Sequence, residues 1–429
     1  MQKVGVAILG LGTVGGGTYE ILVKNKEYYK QTQSLDVTVE NVMELRKERC
    51  ELFNVPEEIV TTNLMEVISN PAVDIVVEVI GGCGFAKEAV ERSLAAGKCV
   101  VTANKELLAK HFYELEAIAK KNNVGLYYEA SCVGGVPIIR TLHEGTQANN
   151  IISLKGIING TTNYILSKMS DDGASYGEVL SEAQKLGYAE ANPSADVDGF
   201  DAAYKLSILS SLAFQTKVPL ESIYREGISE VKIEDIEYGK HFGYTMKLLG
   251  IAKRAEKGIE ARVHPTFIKN EDLLSNVKGS FNAVTIVGDS VGEVMLYGRG
   301  AGDLPTGSAI VSDVLYAGKK LLTGHGYTSF GGQTMQEASK KIAADFTCEY
   351  YIRLIVKDEL GVLAKVGEVF SKSAVSMRQV IQKSASEDGD VQLVITTHLT
   401  SESKIQKAIA KLQATPGIES IEAIIRIEE

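Results

Sequence analysis

The sequence predicts an α/β protein with three parts: a doubly wound parallel sheet, an α+β domain, and a small C-terminal βαββαβ domain. Three observations carry this prediction. A buried-strand pattern at 4–9 runs into a glycine-rich turn, strands and helices then alternate to residue 102, and residues 350–427 alternate again as strand, helix, two strands, helix, strand. Alternating strands and helices are typical of a parallel sheet that is covered by helices on both faces.

The first part carries a dinucleotide-binding motif. The strand at 4–9 leads into the spacing Gly-x-Gly-x-x-Gly, and a helix is predicted from about Thr18. The motif residues are Gly10, Gly12, Thr13, Val14 and Gly15. Glycines permit the tight turn and let backbone N–H groups approach a pyrophosphate at the N-terminus of the helix. The turn therefore predicts a Rossmann-type nucleotide domain.

Two later strands should end at the same crevice, because ligands bind at the carboxyl ends of strands in such sheets. The predicted strand at 74–80 ends in Gly81 and Gly82, and the predicted strand at 99–102 leads to Lys105. We expect these residues to contact the cofactor. A lysine that opens a helix is often simply solvated, however, and the pattern alone leaves both interpretations of Lys105 open.

The choice of cofactor depends on the end of the second strand, predicted at 37–44. An acid there would bind a ribose 2′-hydroxyl group, whereas a base would accept a 2′-phosphate. Glu44 is followed by Arg46 and Lys47, so both features are present. We predict that NADP(H) is preferred and that NAD(H) is possible. The alternative is that residues 46–49 are only the solvated start of a helix.

Composition limits the classes of partner. The chain has 429 residues, of which 45% are hydrophobic and 23% charged, and its net charge of −10 argues against nucleic acid or an anionic membrane as a partner. The five cysteines form no Cys-x-x-Cys pair, and the six histidines are scattered, so neither a disulfide framework nor a thiolate zinc site is predicted. The N-terminal residues lack a secretion signal and no apolar run could span a membrane, so we expect a cytoplasmic protein.

A second cluster of functional candidates lies at 186–205. Asp201 and Lys205 are four residues apart, which places both on one face of a helix predicted from about Gly199. The same segment carries three more acids: Glu190, Asp196 and Asp198. An exposed Asp–Lys pair is the commoner meaning of this spacing. The small and apolar flanking residues and the extra acids favour an active-site wall instead.

The segment 186–205 resembles the catalytic segment of the homoserine dehydrogenases, and Val-Thr-Ala-Asn-Lys-Glu at 101–106 is similar to another motif of that family. Residues 350–427 have a ferredoxin-like order. With Lys-Asp-Glu-Leu-Gly-Val-Leu-Ala (357–364) at the first βα turn, they resemble an ACT regulatory domain. The resemblance implies an NAD(P)-dependent oxidoreductase acting on a CH–OH group. Such an enzyme interconverts L-homoserine and L-aspartate 4-semialdehyde in threonine and methionine biosynthesis.

The resemblance also implies a role for each candidate residue. The catalytic residues would be Lys205 and Lys105. The substrate would be bound by Gly160, Thr161, Tyr188, Glu190, Asp196 and Asp201. The cofactor would also contact Gly187, Glu190 and Gly302. A monovalent cation, sodium, would be held by Glu129 and by the carbonyl groups of Cys132, Gly134 and Val136. An effector would bind at Asp358, Gly361, Val362 and Leu363.

Simpler interpretations of these turns stay open on the residues alone. The turn at 129–137 could be a structural cap, and the turn at 159–163 could be an ordinary helix N-cap. The glycine-rich loop at 298–307, in which a helix is predicted to begin at about Thr306, could be a linker. The C-terminal domain could serve only for dimerisation. The whole chain could instead be a different Rossmann-fold amino-acid dehydrogenase, or a non-catalytic sensor of nucleotides and amino acids.

Domain boundaries complete the prediction. The nucleotide domain is expected at 1–135, rejoined by about 301–325, and the substrate and dimerisation domain at 136–300. A linker at 326–348 and the ACT domain at 349–429 follow. By resemblance, L-threonine is the expected effector, and the chain is expected to form a homodimer through the substrate domain or a homotetramer if the C-terminal domains also pair.

Overall fold

The computed structural model describes residues 2–428 apart from 257, 325–341, 344 and 383–389. These residues form two compact units. The first comprises 2–160, 201–223 and 280–324, and the second comprises 161–200, 224–279 and the described residues from 342 onward. Most of the predicted linker at 326–348 lies outside the described residues. The predicted domain boundaries stay predictions.

The secondary structure follows the predicted order. The strands are β1 Gln2–Leu9, β2 Leu35–Met43, β3 Val60–Thr61, β4 Ile75–Glu78, β5 Cys99–Thr102, β6 Leu126–Tyr127, β7 Ile151–Ile157, β8 Tyr224–Arg225, β9 Tyr244–Ala255, β10 Gly258–Lys269, β11 Phe281–Gly288, β12 Gly292–Arg299, β13 Thr347–Lys357, β14 Met377–Gln382, β15 Asp390–Thr397, β16 Thr400–Ser401 and β17 Ile418–Glu428. The helices are α1 Thr13–Lys24, α2 Lys26–Gln33, α3 Lys47–Leu52, α4 Leu64–Ser69, α5 Phe85–Ala95, α6 Lys105–Lys121, α7 Ile138–Arg140, α8 Gly160–Asp172, α9 Tyr176–Lys185, α10 Ser194–Val197, α11 Phe200–Phe214, α12 Ile233–His241, α13 Asp303–Leu322, α14 Val362–Lys372 and α15 Glu402–Gln413.

The first unit contains the predicted doubly wound sheet. Its strands lie in the order β3-β2-β1-β4-β5-β6, and every neighbouring pair is parallel. All residues of β4 and β5 are buried, as expected for strands that helices cover on both faces. The order reverses between β1 and β4, so the carboxyl end of β1 lies at the switch point where such sheets bind ligands. The Rossmann-type fold is confirmed.

Two predicted helix starts were placed too late. The helix after the glycine-rich turn begins at Thr13 rather than Thr18, and α13 begins at Asp303 rather than about Thr306. In both cases a glycine is the residue before the helix, Gly12 and Gly302. Glycine leaves no side-chain signal of capping, so the sequence hides the true first turn.

Helices α1 and α13 cross at two glycines. A Cβ added at Gly17 would lie 2.5 Å from the carbonyl oxygen of Asp303, and one added at Gly307 would lie 2.9 Å from the carbonyl carbon of Gly17. No larger residue fits at either position without moving a backbone. The crossing places α13 directly against the helix that follows the glycine-rich turn.

The first unit also holds three antiparallel strands, in which β11 pairs with both β7 and β12. In the second unit the strand order is β9-β10-β17-β13-β15-β14, with β8 beside β10 and β16 beside β13. The C-terminal elements β13, α14, β14, β15, α15 and β17 give the predicted βαββαβ order, and their strands lie as β17-β13-β15-β14. The ferredoxin-like fold is confirmed.

The C-terminal sheet is not separate from the rest of the second unit. Strand β17 runs parallel to β10, with Thr266 opposite Arg426 and Ile268 opposite Glu428. On the other side β17 pairs with β13. Strand β10 therefore extends the C-terminal sheet.

Candidate active site

Two lysines and one aspartate form the centre of the candidate site in the first unit. The Asp201 carboxylate is buried, with one oxygen 2.7 Å from the Lys205 Nζ atom and the other 2.7 Å from the Lys105 Nζ atom. The Asn159 side-chain amide donates to the same oxygen as Lys205, at 2.9 Å. Lys205 also donates to the carbonyl oxygen of Ile158, at 2.8 Å. The predicted pairing of Asp201 with Lys205 is confirmed, and it is buried rather than exposed.

Two helices, α6 and α11, bring the lysines and the aspartate together. Lys105 is the first residue of α6, directly after β5, and the Asn104 side chain caps that helix by accepting from the N–H of Leu107. Asp201 and Lys205 are one turn apart on α11, whose residues from 205 to 214 are all buried. Helix α11 thus keeps the lysine ammonium group in a low-dielectric environment with a fixed partner.

Charge keeps Asp201 ionised. Burial on its own would raise the pKa of the carboxyl group, but the adjacent Lys205 and Lys105 ammonium groups outweigh that effect and hold the pKa below its ordinary value. The aspartate therefore remains an anion at neutral pH and does not compete with the lysines for a proton.

Lys205 is placed for proton transfer. An ammonium group has three N–H donors. In the part of the chain that the structure describes, Lys205 uses donors on Asp201 and on Ile158, which leaves one for a substrate oxygen. The side chain of Lys105 is 43% exposed, so the two lysines differ in access to solvent. Contact of Asp201 with the substrate stays a prediction, because its oxygens already accept from both lysines.

The glycine-rich turn is shaped for a ligand at one glycine and for packing at another. A Cβ added at Gly12 would have no described neighbour within 4 Å, whereas one at Gly15 would lie 2.1 Å from the carbonyl oxygen of Gly10. Gly10 itself has φ +92°, which side chains rarely adopt. Helix α1 starts here without an acidic residue in its first turn. Open space at the first N–H groups of a helix fits an approaching phosphate.

Glu44 braces this turn from the end of β2. Its carboxylate accepts from the backbone N–H of Leu11 at 2.7 Å and from the Arg46 side chain at 3.1 and 3.3 Å. Burial would raise the pKa of Glu44, but the hydrogen bonds from Arg46 and Leu11 lower it to about 2. Arg46 and Lys47 are exposed beside it. Glu44 is therefore turned toward the protein, and Lys47 and Arg46, which stays paired with Glu44, are exposed basic groups at this end of β2.

Sequence reasoning missed two residues that hold the turn and the neighbouring loop at 81–82, Arg49 and Glu78. The Arg49 Nε atom donates to the carbonyl oxygen of Leu11 at 2.9 Å, so this arginine also holds the turn. Buried Glu78 accepts from the N–H of Gly81 at 3.1 Å, and the Asn104 amide donates to the carbonyl oxygen of Gly82 at 2.7 Å. A charged residue at the end of the otherwise apolar strand β4 was the available signal for Glu78.

Gly81 and Gly82 lie where the prediction placed them, after β4. Their φ angles are +85° and +71°, and a Cβ added at either would have no described neighbour within 4 Å. Gly302 has φ +123° and directly precedes α13. These three glycines keep the backbone free of side chains at the ends of their elements, as a cofactor-lining role requires.

The expected cation-binding residues form a buried turn. Glu129, Cys132, Gly134 and Val136 are all buried, and Gly134 has φ +53°. The two carboxylate oxygens of Glu129 accept from the backbone N–H groups of Ile139 and Arg140, each at 2.8 Å. Glu129 therefore caps α7, and the structural alternative holds for its side chain, although a carboxylate oxygen with one hydrogen bond keeps further acceptor capacity.

An excess of negative charge lies beside that turn. Asp313 accepts from the N–H of Glu129 at 2.8 Å and from the Arg140 guanidinium at 2.7 Å. The Arg140 guanidinium group thus pairs with Asp313, whereas the Glu129 carboxylate is bonded to the Arg140 backbone. Burial raises the pKa of Glu129, and burial with the nearby Glu129 charge raises that of Asp313. A monovalent cation would neutralise the same charge.

The other predicted substrate residues divide between the two units. Gly160 belongs to the first, where an added Cβ would lie 2.7 Å from the carbonyl oxygen of Ser280. In the second unit the Thr161 hydroxyl donates to the carbonyl oxygen of Tyr188 at 2.7 Å, so the structure brings these two together. Three further candidates lie in the same segment: Gly187 with φ +76°, exposed Glu190, and half-buried Asp196 in α10.

The predicted effector residues surround the start of α14. Gly361 has φ +87° and immediately precedes the helix, Val362 is buried, and Leu363 is 49% exposed. Leu360 is fully exposed beside them. Asp358 lies in the same turn, after β13.

An open glycine-rich turn at the switch point of a parallel sheet, with an ammonium group positioned for proton transfer, is what an oxidoreductase with a nicotinamide cofactor needs. The chain matches the family model "Homoserine dehydrogenase, NAD binding domain" over residues 10–129 and the model "Homoserine dehydrogenase" over 137–315. Residues 350–417 match the ACT domain. The chain belongs to the homoserine dehydrogenase family, and it is an NAD(P)-dependent oxidoreductase that acts on a CH–OH group.

Whole-length relatives agree with this assignment. The chain is 41% identical to the homoserine dehydrogenases of Neisseria gonorrhoeae and Bacillus subtilis, with 100% of this chain and 99% of each relative covered. The crystal structure of a homoserine dehydrogenase from Thiobacillus denitrificans superposes with a TM-score of 0.95 at 42% identity, covering 100% of this chain and 99% of that one. A hyperthermophilic archaeal homoserine dehydrogenase in complex with NADPH has a TM-score of 0.64 at 29% identity, over 74% of this chain and 98% of that one.

None of the described helices combines the length and the apolar character that a membrane crossing requires. No group of three or more His, Cys, Asp or Glu side chains arranged to hold a metal ion occurs in the same residues.

Proposed function

We propose that Lys205 carries the proton when this enzyme interconverts L-homoserine and L-aspartate 4-semialdehyde. One observation carries the assignment: the Lys205 ammonium group is buried on α11 and held by Asp201 at 2.7 Å and by the Ile158 carbonyl at 2.8 Å. A general acid must be oriented before it can transfer a proton efficiently. These two contacts orient it.

The proton steps follow from the charges. A bound nicotinamide supplies the hydride in reduction and accepts it in oxidation. In reduction, Lys205 donates a proton to the aldehyde oxygen as the carbonyl carbon becomes a CH–OH group. In oxidation, neutral Lys205 takes the hydroxyl proton as the C=O bond forms. Lys105, which shares Asp201, polarises the same oxygen or assists the proton transfer.

The finer assignments rest on the family resemblance. Glu190 is proposed to bind the substrate ammonium group, and Gly160, Thr161, Tyr188 and Asp196 the rest of its amino-acid end. Glu190 is also proposed, with Gly187, near the cofactor. A higher KM for homoserine in Glu190→Ala would support its role, and an unchanged KM would refute it.

A cytoplasmic location is also proposed, and cell fractionation tests it. The proposed place in threonine and methionine biosynthesis follows from the substrate.

NADP(H) is proposed as the preferred cofactor, with NAD(H) possible. The support is that Glu44, the acid that would bind a ribose hydroxyl group, is buried and bonded to Leu11, whereas Arg46 and Lys47 are exposed. Basic groups at this position accept a 2′-phosphate.

A sodium ion is proposed at the turn that contains Glu129, Cys132, Gly134 and Val136. The support is the buried pair of carboxyl groups of Glu129 and Asp313: the Arg140 guanidinium group contacts Asp313, whereas Glu129 accepts from the backbone N–H groups of Ile139 and Arg140. Hard oxygen donors suit a hard cation. Replacing sodium with choline at constant ionic strength should lower the melting temperature, and an unchanged melting temperature would refute the proposal.

The C-terminal domain is proposed to bind L-threonine at Asp358, Gly361, Val362 and Leu363. The support is the exposed apolar surface of Leu360 and Leu363 at the start of α14, next to a turn of the kind that ACT domains use. A homodimer or homotetramer is proposed on family grounds, and sedimentation with and without threonine would measure it.

The function is tested by homoserine-dependent reduction of NADP. We expect Lys205→Ala to lower kcat by roughly 10²–10⁴-fold while the fold is retained, because the oriented acid is lost. The matched control is Lys217→Ala, which removes an exposed lysine just after the same helix. Nearly unchanged turnover in folded Lys205→Ala would refute the role of Lys205, and no homoserine oxidation by the native enzyme would refute the function itself.

A further inference from the structure

A short segment of the second unit contacts the C-terminal sheet on one side. On the other side it contacts residues 198–200 of the segment 186–205, here called the substrate segment. The short segment is Tyr224–Glu226, here called the β8 link. Its strand β8 runs parallel to β10, with Tyr224 opposite Arg262 and Arg225 opposite Val263. Successive side chains of a strand point to opposite faces. Tyr224 and Glu226 therefore share one face, and Arg225 occupies the other.

On the first face the link is bonded to the C-terminal sheet. Arg426 of β17 is buried, and its guanidinium group donates to a Glu226 carboxylate oxygen and to the Tyr224 hydroxyl, each at 2.7 Å. The same guanidinium donates to Glu402 of α15 at 2.8 and 3.0 Å. Paired guanidinium bonds of this kind are strong and geometrically specific. A shift of β17 would therefore move the link.

On the opposite face the link holds the turn before the catalytic helix. The Arg225 guanidinium donates to the carbonyl oxygen of Asp198, and its central carbon lies 3.5 Å from the centre of the Phe200 ring. Phe200 is the first residue of α11, which carries Asp201 and Lys205.

The backbone after the link is packed against the same turn. The N–H of Ile228 donates to the carbonyl oxygen of Val197 at 2.8 Å. A Cβ added at Gly227 would lie 2.4 Å from that oxygen, so the two backbones approach as closely as glycine allows. The turn at 196–200 thus cannot move far from the link without breaking both contacts.

We infer that the β8 link couples the C-terminal sheet to the substrate segment, with Arg225 as a positioning residue for the turn at 196–200. The link is bonded on both faces, so a displacement of Arg426 changes where Arg225 holds Asp198 and Phe200. An effector can use this coupling only if it favours one position of the C-terminal sheet over another. The inference rests on the proposed roles of the 186–205 segment and extends them to regulation.

The decisive comparison uses two Glu→Gln variants. Glu226→Gln weakens the contact between the link and Arg426, whereas Glu422→Gln breaks a different contact of β17, the ion pair with Lys232. We expect Glu226→Gln to raise the KM for homoserine about 3-fold or more. It should also speed hydrogen exchange of peptides covering 196–200. Glu422→Gln should leave both unchanged. Equal effects of the two variants would overturn the inference.

Variants of Arg225 provide a second test of the inference. Arg225→Gln should raise the KM more than Glu226→Gln does, and Arg225→Lys should restore part of the loss. The double variant Arg225→Gln/Glu226→Gln should be no worse than Arg225→Gln alone, because coupled residues do not add. A wild-type KM with wild-type exchange in Arg225→Gln would refute the role. If the native enzyme fails to oxidise homoserine, the proposed function has failed, and hydrogen exchange alone still decides whether the link holds the turn.

Discussion

The Asp201 carboxylate allows the buried Lys205 and the partly exposed Lys105 to lie side by side, because it pairs with both ammonium groups. Two ammonium groups and one amide donate to it, at distances from 2.7 to 2.9 Å. Removing one partner of a buried ion pair commonly costs about 3–5 kcal/mol, because a charge is left unpaired. Lys205→Ala should destabilise the fold less than removal of the Asp201 carboxylate would, since Asp201 keeps Lys105 and Asn159 as partners. A loss of turnover in that variant can therefore be separated from a loss of fold.

A third lysine, Lys247 of β9, is buried under different conditions. Its Nζ atom donates to the carbonyl oxygen of Val277 at 2.6 Å and to the side-chain oxygen of Asn163 at 3.1 Å, and both are neutral groups. Burial lowers its pKa from 10.5 to about 8. This lysine ties β9 to helix α8 without an anionic partner at hydrogen-bond distance in the described residues.

Lys247 predicts a measurable pH dependence of stability. Between pH 8 and about 10 the unfolded chain keeps the proton on Lys247 and the folded protein has lost it. The free energy of unfolding therefore rises with pH in this window, by up to about 1.4 kcal/mol per pH unit. Lys247→Met removes the titrating amine. The free energy of unfolding of the wild type, relative to that of the variant, should therefore increase from pH 8 to 10 in urea titrations. The exposed Lys185→Met serves as the control; a constant difference between wild type and Lys247→Met would contradict the prediction.

At the scale of elements, the sequence was informative where a pattern is local. The glycine spacing placed the turn after β1, and the spacing of Asp201 and Lys205 placed both on one helix face. The direction of individual side chains was not predictable in the same way. Glu44 faces Leu11 rather than the solvent, and Arg49 reaches the same turn, because contacts between β2, α3 and the turn decide where each side chain points.

Variants of Arg46 and Lys47 are expected to change cofactor binding in a different way from a variant of Arg49. Neutralising Arg46 and Lys47 to Gln should weaken NADP(H) binding much more than NAD(H) binding, because only NADP(H) carries the 2′-phosphate. Arg49→Gln should weaken both cofactors alike, since Arg49 holds the carbonyl of Leu11 in the turn. Dissociation constants for both cofactors check this. Equal losses in the double variant would mean that Arg46 and Lys47 are only solvated.

At the scale of the whole chain, the βαββαβ order was predictable but its connection to β10 was not. The sequence pattern of residues 418–427 predicts a strand. It does not predict that both edges of this strand are paired, as they are with β10 and β13. A buried ion pair strengthens the connection: Arg353 of β13 donates to Asp235 of α12 at 2.6 and 2.9 Å. Deleting residues 349–429 would leave Asp235 without that partner and β10 with an open edge. Point variants therefore test regulation better than truncation does.

Threonine is expected to inhibit homoserine oxidation partially, because coupling between two sites is commonly about 1–3 kcal/mol. Asp358→Ala should raise the threonine concentration for half-inhibition about 10-fold or more and leave kcat without threonine unchanged. Glu368→Ala, on the exposed face of α14, is the matched control. Inhibition that is unchanged in Asp358→Ala would place the effector elsewhere, and no response in the native enzyme would favour a role of the domain in assembly only.

The pairing of β10 with β17 also has a consequence for the order in which the protein can fold. Thr266 pairs with Arg426, and in the first unit Gly17 packs on Asp303, so both units are closed by residues far along the chain. Contacts between distant residues form slowly, because the intervening chain must be ordered first. During synthesis β10 emerges long before its partner, with an unpaired edge that can associate with other chains. We therefore expect nascent chains that end before β17 to depend on chaperones, even though the finished enzyme closes that edge.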